Sequence, residues 1–275
     1  MILSDGTAST RSRHSHIQLL YKSRALIIAE QSRHYLVIGD LHIGFEEKFR
    51  VSGISIQPRL DKLIGELSEL ISEHKVTDLL VNGDVKSGTD EISKYEWENV
   101  PKFFEKMTNL CQVSVIPGNH DAGLQHLIPP DVNVLDSNGI MISKILILHG
   151  HTRPLPKFQD CEQLVMGHVH PIFQRRGSPL SGQPVWVFVR ARRDQIFKGG
   201  LSHEDSISRN QDTLEIILMP AFNLELVVAG SAMDAARQER KIAPILRSLK
   251  SVSEAMIMTL DGDLIGDVSL LPNVL

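Results

Sequence analysis

The stretch Val37-Ile38-Gly39-Asp40-Leu41-His42-Ile43-Gly44 decides the fold of this chain of 275 residues. It continues an apolar run that begins at Tyr35, and such a run is typical of a short buried strand. Asp40 and His42 come directly after the run, so we expect both at the carboxyl end of a strand. Residues i and i+2 of an extended segment project from one side, which would let this aspartate and histidine bracket one cation.

Further apolar runs end in the same kind of polar turn. Carboxylate, imidazole and amide oxygen atoms bind divalent cations, and a ligand set without thiolates suits manganese, iron or zinc. Magnesium alone is disfavoured because it prefers oxygen ligands throughout. One such turn is usually structural, but the ordered series predicts a metal site. The other turns are Gly83-Asp84, Gly118-Asn119-His120-Asp121, His149-Gly150-His151 and Gly167-His168-Val169-His170.

The first half of the chain alternates between strand and helix patterns. Apolar residues recur at helical spacing from 58 to 74 and from 91 to 110, where Pro101 is expected to split or kink the second helix. A strand is predicted from 77 to 82, and another from 112 to 116. Strand patterns dominate the second half, so the sequence predicts an α/β (α+β) fold with two packed sheets and helices outside them.

The second half is predicted to contain one late helix, from 242 to 249, and a final hairpin around Asp261-Gly262-Asp263. The hairpin strands are expected at 255–260 and 264–270. The other predicted strands are 132–135, 140–142, 145–148, 163–166, 185–189, 214–219 and 224–228.

Composition sets limits on location and partners. The formal net charge of -4 gives no general attraction to polyanions, and the two cysteines, Cys111 and Cys161, form no metal-binding or disulfide pattern. No apolar run reaches the roughly 20 residues of a membrane span. We therefore expect a cytoplasmic protein with a disordered tail at 1–16 and a single domain at 17–275. Residues 229–275 are expected to complete the fold or to form a homo-oligomer contact.

The turns, in order, resemble the D-x-H, G-D, G-N-H-D, H and G-H-x-H pattern of the calcineurin-like metallophosphoesterase superfamily. The resemblance covers Gly39 to His170. It implies a four-layer αββα sandwich of two mixed β-sheets flanked by helices, and two-metal hydrolysis of phosphate esters. A narrower resemblance, carried by Gly39 to Gly44 and by Met219-Pro220-Ala221-Phe222-Asn223, is to archaeal phosphoesterases related to the SbcD repair nuclease.

The resemblance also implies roles for individual residues, with manganese as the favoured cation and iron or zinc as alternatives. His120 would protonate the leaving oxygen or stabilise charge there, with Asp121 either orienting its ring or capping the loop. His149 matches the family position better than His151, which would be a supporting or surface residue. The implied ligands are Asp40, His42 and His170 for the first ion, Asn119, His149 and His168 for the second, and Asp84 for both.

A basic segment follows the last predicted ligand and carries one acid, Asp194. Its arginines could form a rim that tracks a phosphate backbone. The alternative is a solvated hairpin whose arginines pair with surface acids. The candidate substrate-binding residues are Arg175, Arg176, Arg190, Arg192 and Arg193, followed by Lys198.

Three functions follow from these patterns. The leading hypothesis is a metal-dependent phosphodiesterase that acts on nucleic acid, in DNA repair or processing, as the SbcD resemblance implies. The chain lacks room for the capping and coiled-coil-binding regions of full repair nucleases, which puts an ATPase partner in doubt. The alternatives are a phosphodiesterase for small molecules such as cyclic nucleotides, and a non-catalytic binding module. The sequence after Gly83-Asp84 lacks the G-D-x-x-D-R pattern of phosphoprotein phosphatases, which disfavours that class.

Overall fold

The computed structural model describes residues 16–47, 59–197, 213–226, 244–245, 252 and 254–275. The predicted tail at 1–16 lies outside them except for His16, which opens the first strand. The first sheet has six strands in the order of the chain, antiparallel from β1 to β3 and parallel from β3 to β6. Its strands are β1 His16–Leu19, β2 Leu26–Glu30, β3 Arg33–Ile38, β4 Asp78–Asn82, β5 Gln112–Ile116 and β6 Asn133–Val134.

The second sheet has eight strands, of which seven run in the order β14-β13-β11-β12-β9-β8-β7 while β10 pairs with β11. It is also mixed, because β8, β9 and β12 are parallel neighbours and the other pairs are antiparallel. Its strands are β7 Ile140–Ile142, β8 Ile145–Leu148, β9 Gln163–Met166, β10 Ile172–Phe173, β11 Gln183–Arg192, β12 Thr213–Leu218, β13 Glu254–Thr259 and β14 Leu264–Asp267.

Two long helices cover the outer face of the first sheet. They are α1, Leu60–Glu73, and α2, Lys94–Thr108. The second helix begins with a capping box, in which the Ser93 side chain accepts from the Glu96 amide and the Glu96 carboxylate accepts from the Ser93 amide. The other face of the second sheet is covered by short segments: α3, Arg193–Ile196, and the 3-10 helix Val268–Asn273.

Three apolar layers hold these elements together, and strand alternation creates them. In β3, Leu36 and Ile38 pack toward the helices, while Val37 packs between the sheets. In β9, Val165 fills the same layer between the sheets, and Leu164 packs on the far side. The predicted class, two packed mixed sheets with helices outside, is confirmed by this arrangement.

Several local predictions differ from the structure. Pro101 lies inside an unbroken α2, so the predicted split is wrong. The carbonyl that loses its partner belongs to Trp97, which is half exposed, and buried neighbours such as Phe103 hold the helix on the sheet. The predicted strand at 264–270 ends at Asp267, whose carboxylate accepts from the Ser269 amide and starts a 3-10 helix.

The predicted strand at 224–228 is also wrong within its described part, 224–226, which forms a turn and the start of a helix. The reason is local: the Asn223 side chain accepts from the Glu225 amide, and this bond favours a helical start over an extended chain. Of the predicted helix at 242–249, only residues 244 and 245 lie within the described residues. Among the described helices, none has the length and apolar character that a membrane crossing requires.

Candidate metal centre

The strand ends bring the predicted turns to one place. Strands β3, β4 and β5 are parallel and end at the same edge of the first sheet, and β8 and β9 do the same in the second. The backbone amide of His168, in the turn after β9, donates to both carboxylate oxygens of Asp40, after β3, at 3.2 Å. The turns of the two sheets therefore meet at a common edge.

The first group of side chains that can hold a metal ion, which we call the first pocket, contains Asp40, His42, Asp84 and His170. One ligand atom from each lies within 4.8 Å of all the others. The Nε2 atom of His42 is 3.3 Å from Asp84 Oδ2, and Nε2 of His170 is 3.0 Å from Asp40 Oδ1. Two carboxylates and two imidazoles thus face one small volume.

The second group, the second pocket, contains Asp84, His149 and His168 within the same 4.8 Å limit. The Nε2 atom of His149 is 3.3 Å from Asp84 Oδ1 and 3.3 Å from Asn119 Oδ1. Asp84 thus turns Oδ2 toward the first pocket and Oδ1 toward the second. A carboxylate in this position can bind one ion with each oxygen.

The ring nitrogens fit a metal better than they fit hydrogen bonding. Nδ1 of His42 is buried without a hydrogen-bond partner, and Nε2 of His42 and of His170 lie near carboxylate oxygens without forming a well-aligned hydrogen bond, although buried polar atoms normally have one. Burial lowers the pKa of His42 to about 4, and burial followed by the neighbouring His149 lowers the pKa of His168 to about 4. A lowered pKa favours the neutral rings of His42 and His168, the form that binds a metal ion, whereas at His170 burial is outweighed by the Asp40 carboxylate, which raises the pKa of that ring.

In the second pocket, the nearby carboxylates favour positive charge, as the pKa of His149 shows. Burial lowers the pKa of His149, but the carboxylates of Asp84 and Asp40 outweigh burial and raise it to about 9. The Nδ1 atom of His149 contacts the Asn82 carbonyl at 2.9 Å, which fixes the ring with Nε2 toward Asp84. The ring of His151 is 5.4 Å from that of His149 and belongs to neither group.

Several candidate ligand residues also share an unusual backbone conformation, the left-handed one with positive φ. Non-glycine residues rarely adopt positive φ, and such strain persists where the surrounding structure enforces it, commonly at functional sites. The sequence-based expectation of extended D-x-H and H-x-H segments is therefore wrong in its geometry, although the turns still bring the side chains together. The left-handed residues of the two pockets are Asp40 (φ 58), His42 (φ 41), Asp84 (φ 50), His168 (φ 68) and His170 (φ 47).

Glycines next to the pockets leave room for ligands from other turns. A Cβ atom on Gly118 would overlap the Asp84 carboxylate, and one on Gly83 would overlap the His149 ring. A Cβ on Gly167 would crowd the carboxylate of Asp40. Each of these turns is shaped to fit a side chain from a different turn.

His120 lies beside the first pocket, with its ring centroid 4.7 Å from that of His42. Its Nδ1 contacts the Ser87 carbonyl at 2.8 Å, and its backbone amide donates to Asp84 Oδ1 at 2.9 Å. The Asp121 carboxylate accepts instead from the backbone amides of Val85, Lys86 and Gly118. Those bonds correspond to the loop-cap alternative, while the Ser87 carbonyl, which the sequence did not suggest, orients the His120 ring.

The arginines of the predicted rim are not equivalent. Arg190 pairs with Glu254 on β13 at 2.7 Å, and Arg192 pairs with Asp194 at 2.7 Å. Arg193 donates to two backbone carbonyls, those of Gln159 and Cys161. Arg175 and Arg176 are exposed in the turn between β10 and β11. Lys198 lies outside the described residues.

Comparison with known proteins fits this geometry. Two mixed sheets with a cluster of aspartate and histidine side chains at their shared edge define an α/β protein with a candidate metal site. Residues 33–230 match the family model for the calcineurin-like phosphoesterase domain, and the chain belongs to that family. It is a phosphoester hydrolase with a candidate site for two metal ions.

A solved structure shares the fold. The crystal structure of Pseudomonas putida nuclease MPE aligns with a TM-score of 0.52 and 18% sequence identity, over 90% of this chain and 98% of that one. At this identity the match shows the fold. A search of curated proteins gives no significant match.

Proposed function

We propose that this protein is a phosphodiesterase that uses two bound divalent cations to cleave the phosphodiester bonds of nucleic acid. The observation that carries the proposal is Asp84, whose two carboxylate oxygens face two separate groups of metal-binding side chains. The Pseudomonas putida protein that shares the fold is a nuclease by name, which supports the choice of nucleic acid. We assign Asp40, His42 and His170 to the first ion, Asn119, His149 and His168 to the second, and Asp84 to both.

A bound pair of divalent cations neutralises phosphoryl oxygens and supplies hydroxide near neutral pH. The side chains around the two pockets supply the other groups that the reaction needs. His120 is partly exposed, so a substrate can reach its ring, and the contact between Nδ1 and the Ser87 carbonyl turns Nε2 toward the first pocket, 4.0 Å from Asp84 Oδ2. We assign His120 as the group that donates a proton to the leaving oxygen or stabilises its charge, and Asp121 as a support for the loops that carry Asp84 and Asn119.

We propose manganese as the native cation by resemblance to the metallophosphoesterase family, with iron and zinc as alternatives, since a ligand set of carboxylate, imidazole and amide oxygen without thiolate suits all three. Elemental analysis of protein purified without added metal, followed by activity after reconstitution with each cation, tests the choice. Activity restored by zinc alone would contradict it.

The substrate class can be tested through salt dependence. We expect cleavage of single-stranded DNA or RNA in Mn²⁺, with apparent affinity falling steeply as salt rises. Hydrolysis of 2′,3′-cyclic nucleotides should respond much less to salt, because a small diester releases few counterions. Activity confined to cyclic nucleotides would replace the nucleic-acid assignment by the small-diester alternative.

The rim provides a matched pair of variants for the same question. Arg175→Gln with Arg176→Gln removes two exposed cations, and we expect the slope of log affinity against log salt to fall in magnitude by about one to two. Arg190→Gln with Arg192→Gln removes the same formal charge from side chains already paired with acids. This control should change the slope less. Equal changes would remove the specific role of Arg175 and Arg176.

A small-diester phosphodiesterase is the second candidate, and the ion pairs of Arg190 and Arg192 favour it because they leave less free positive charge near the site. We also propose a cytoplasmic location and a role in DNA repair or processing related to that of SbcD nucleases. An ATPase partner of the SbcD type would be detected by co-purification from cells, and a failure to recover one would favour independent action.

We further propose that residues 229–275 complete the fold or form a homo-oligomer contact: in their described part β13 pairs with β11 in the second sheet, and Met256, Leu264 and Val268 are exposed. Light scattering of the wild type and of Leu264→Lys tests the contact. A monomeric wild type would rule it out.

A further inference from the structure

The segment Met219-Pro220-Ala221-Phe222-Asn223 crosses from the second sheet to the first. The Met219 amide donates to the Met166 carbonyl at 2.8 Å, which extends the pairing of β12 with β9. Three residues later, the Phe222 amide donates to the Gly39 carbonyl at 2.9 Å, at the end of β3. The segment therefore joins the two sheets directly beside the first pocket.

Asn223 makes the closest contacts with the turn that carries Asp40 and His42. Its side-chain amide, Nδ2, donates to the Leu41 carbonyl at 2.9 Å, and its backbone amide reaches the Asp40 carbonyl at 3.4 Å. Its Oδ1 accepts from the Glu225 amide at 2.9 Å. The side chain is buried, so water does not easily replace these bonds.

The turn needs such support because its backbone is strained. Asp40 and His42 both have positive φ, and Leu41 lies between them. Each such residue costs on the order of 1–3 kcal/mol and keeps its conformation only when its surroundings enforce it. Two peptide groups join Asp40 to His42, and Asn223 donates to the carbonyl of each, from Nδ2 to Leu41 and from its backbone amide to Asp40.

Asn223 is itself held in place. Arg24 donates from Nε to the Phe222 carbonyl at 3.1 Å, and its guanidinium lies 4.9 Å from the Phe222 ring centroid. The same guanidinium forms a two-bond ion pair with Glu66 of α1, at 2.6 and 2.7 Å. The crossing segment is thus fixed to a long helix on one side and to the ligand turn on the other.

We propose that Asn223 is a positioning residue for the first pocket: its side-chain amide holds the Asp40–His42 turn in the left-handed conformation that aims both side chains at the first ion. The inference rests on the metal assignment made above. It does not depend on which phosphodiester the enzyme cleaves.

The chain offers a matched control for the second pocket. The Asn82 side-chain amide donates to the Leu148 carbonyl at 3.0 Å, one residue before His149, and is fully buried. Asn82 thus has the same relation to the second-pocket turn that Asn223 has to the first. A general loss of packing would weaken metal binding in both pockets. If each asparagine positions one turn, substitution of Asn223 should weaken binding in the first pocket selectively, and substitution of Asn82 should weaken it in the second.

The experiment measures Mn²⁺ binding by calorimetry in proteins that keep one pocket at a time. His149→Ala with His168→Ala removes both imidazoles of the second pocket and leaves the first, and His42→Ala with His170→Ala removes both imidazoles of the first and leaves the second. We expect Asn223→Ser to weaken Mn²⁺ binding about 10-fold to 100-fold in the first background and less than about twofold in the second. Asn82→Ser should show the reverse. Equal weakening of both pockets by Asn223→Ser, or no weakening, would overturn the proposal.

A second variant, of nearly the same size and shape as Asn223, tests the hydrogen-bond donor by itself. Asn223→Asp keeps the acceptor bond to the Glu225 amide but loses the donor to Leu41. The added negative charge alone would favour a cation, so weaker Mn²⁺ binding in the first pocket identifies loss of the donor, and unchanged or tighter binding rejects the proposal. Because binding is measured without substrate, loss of the proposed nuclease activity in the wild type would leave this test standing.

Discussion

The two metal pockets share Asp84 but differ in charge. The first pocket has a second carboxylate, Asp40, which is fully buried, whereas the other candidate ligands of the second pocket, Asn119, His149 and His168, include no carboxylate. Because Asp84 is shared, the two groups differ by one negative charge, that of Asp40. The difference teaches that the ions should not be equivalent: the first should bind more tightly, and the second should exchange more easily.

The pockets also differ in how their ligands are held. In the first, Asp40, His42 and His170 all have left-handed backbones, and Asn223 contacts the turn between the first two. In the second, His149 is fixed through its own ring by the Asn82 carbonyl. In the first pocket a hydrogen bond from Asn223 acts on the backbone of a strained turn, whereas in the second a hydrogen bond acts on the ring of a ligand, although His168 there is also left-handed.

The largest effect should come from removing the residue that the pockets share. We expect Asp84→Asn to lower phosphodiesterase activity about a thousandfold or more, because both ions lose a charged ligand. Mn²⁺ stoichiometry by elemental analysis should fall in both pockets. Asp61→Asn, which alters an exposed carboxylate paired with Lys102, is the control and should bind metal normally. If Asp84→Asn still bound two ions tightly, the assignment of Asp84 to both pockets would be wrong.

Loss of His120 should reduce catalysis without emptying either pocket. We expect His120→Ala to lower kcat about 100-fold to 1,000-fold, as is usual for loss of a general acid. Mn²⁺ binding should remain within about twofold of the wild type, since His120 belongs to neither ligand group. His126→Ala is a control at an exposed histidine. A matching loss of metal would make His120 a ligand instead.

The unequal charge of the pockets should produce unequal affinity. We expect the first pocket, measured in His149→Ala with His168→Ala, to bind Mn²⁺ at least about tenfold more tightly than the second, measured in His42→Ala with His170→Ala. Calorimetric titration of both proteins at one pH and one salt concentration gives the ratio. Equal affinities would show that the carboxylate of Asp40 does not distinguish the two pockets.

The smallest effect concerns a carboxyl pair near the turn after His42. Burial and the neighbouring carboxylate of Glu46 raise the pKa of Glu225 to about 7, although Arg59 acts in the opposite direction. Tyr95 faces the same cavity. Since Glu225 is raised above its unfolded value of 4.5, the folded protein binds the extra proton between these values. Stability should therefore fall as pH rises from about 4.5 to about 7.

Glu225→Gln should remove this loss. We expect the variant to gain roughly 1 kcal/mol in unfolding free energy at pH 8 relative to pH 4.5, compared with the wild type. Denaturant unfolding at both values measures the gain. A pH profile parallel to that of the wild type would show that Glu225 remains ionised throughout and adds no pH-dependent difference to this side of the first pocket.

The sequence predicted which residues would meet but not how they would be held. Strand boundaries and ligand types follow from apolar runs and from the chemistry of aspartate and histidine, and β8 and β9 begin and end where they were expected. The left-handed φ of Asp40 could not be read from spacing, because it is enforced by tertiary contacts. The pairing of Arg190 with Glu254 joins residues 64 positions apart, so a local pattern could not reveal it.

The wrong predictions of local structure also arose where contacts outside the local pattern decided the outcome. Pro101 disfavours a helix locally, but the packing of α2 on the first sheet outweighs that preference. The apolar residues at 224–226 suggested a strand, but the bond between Asn223 and the Glu225 amide starts a helix there. In both places a tertiary contact or a single side-chain bond outweighed the local pattern.

The bond from the His168 amide to Asp40 spans 128 positions of the chain, and it has a consequence for how the protein matures. Contacts between such distant segments carry a high loop-closure cost, so they form after the local helices and hairpins. A nascent polypeptide that has not yet emerged past β9 cannot complete either ion-binding cavity. We therefore expect cation capture to be a late event of biogenesis, reserved for molecules whose two sheets have already docked.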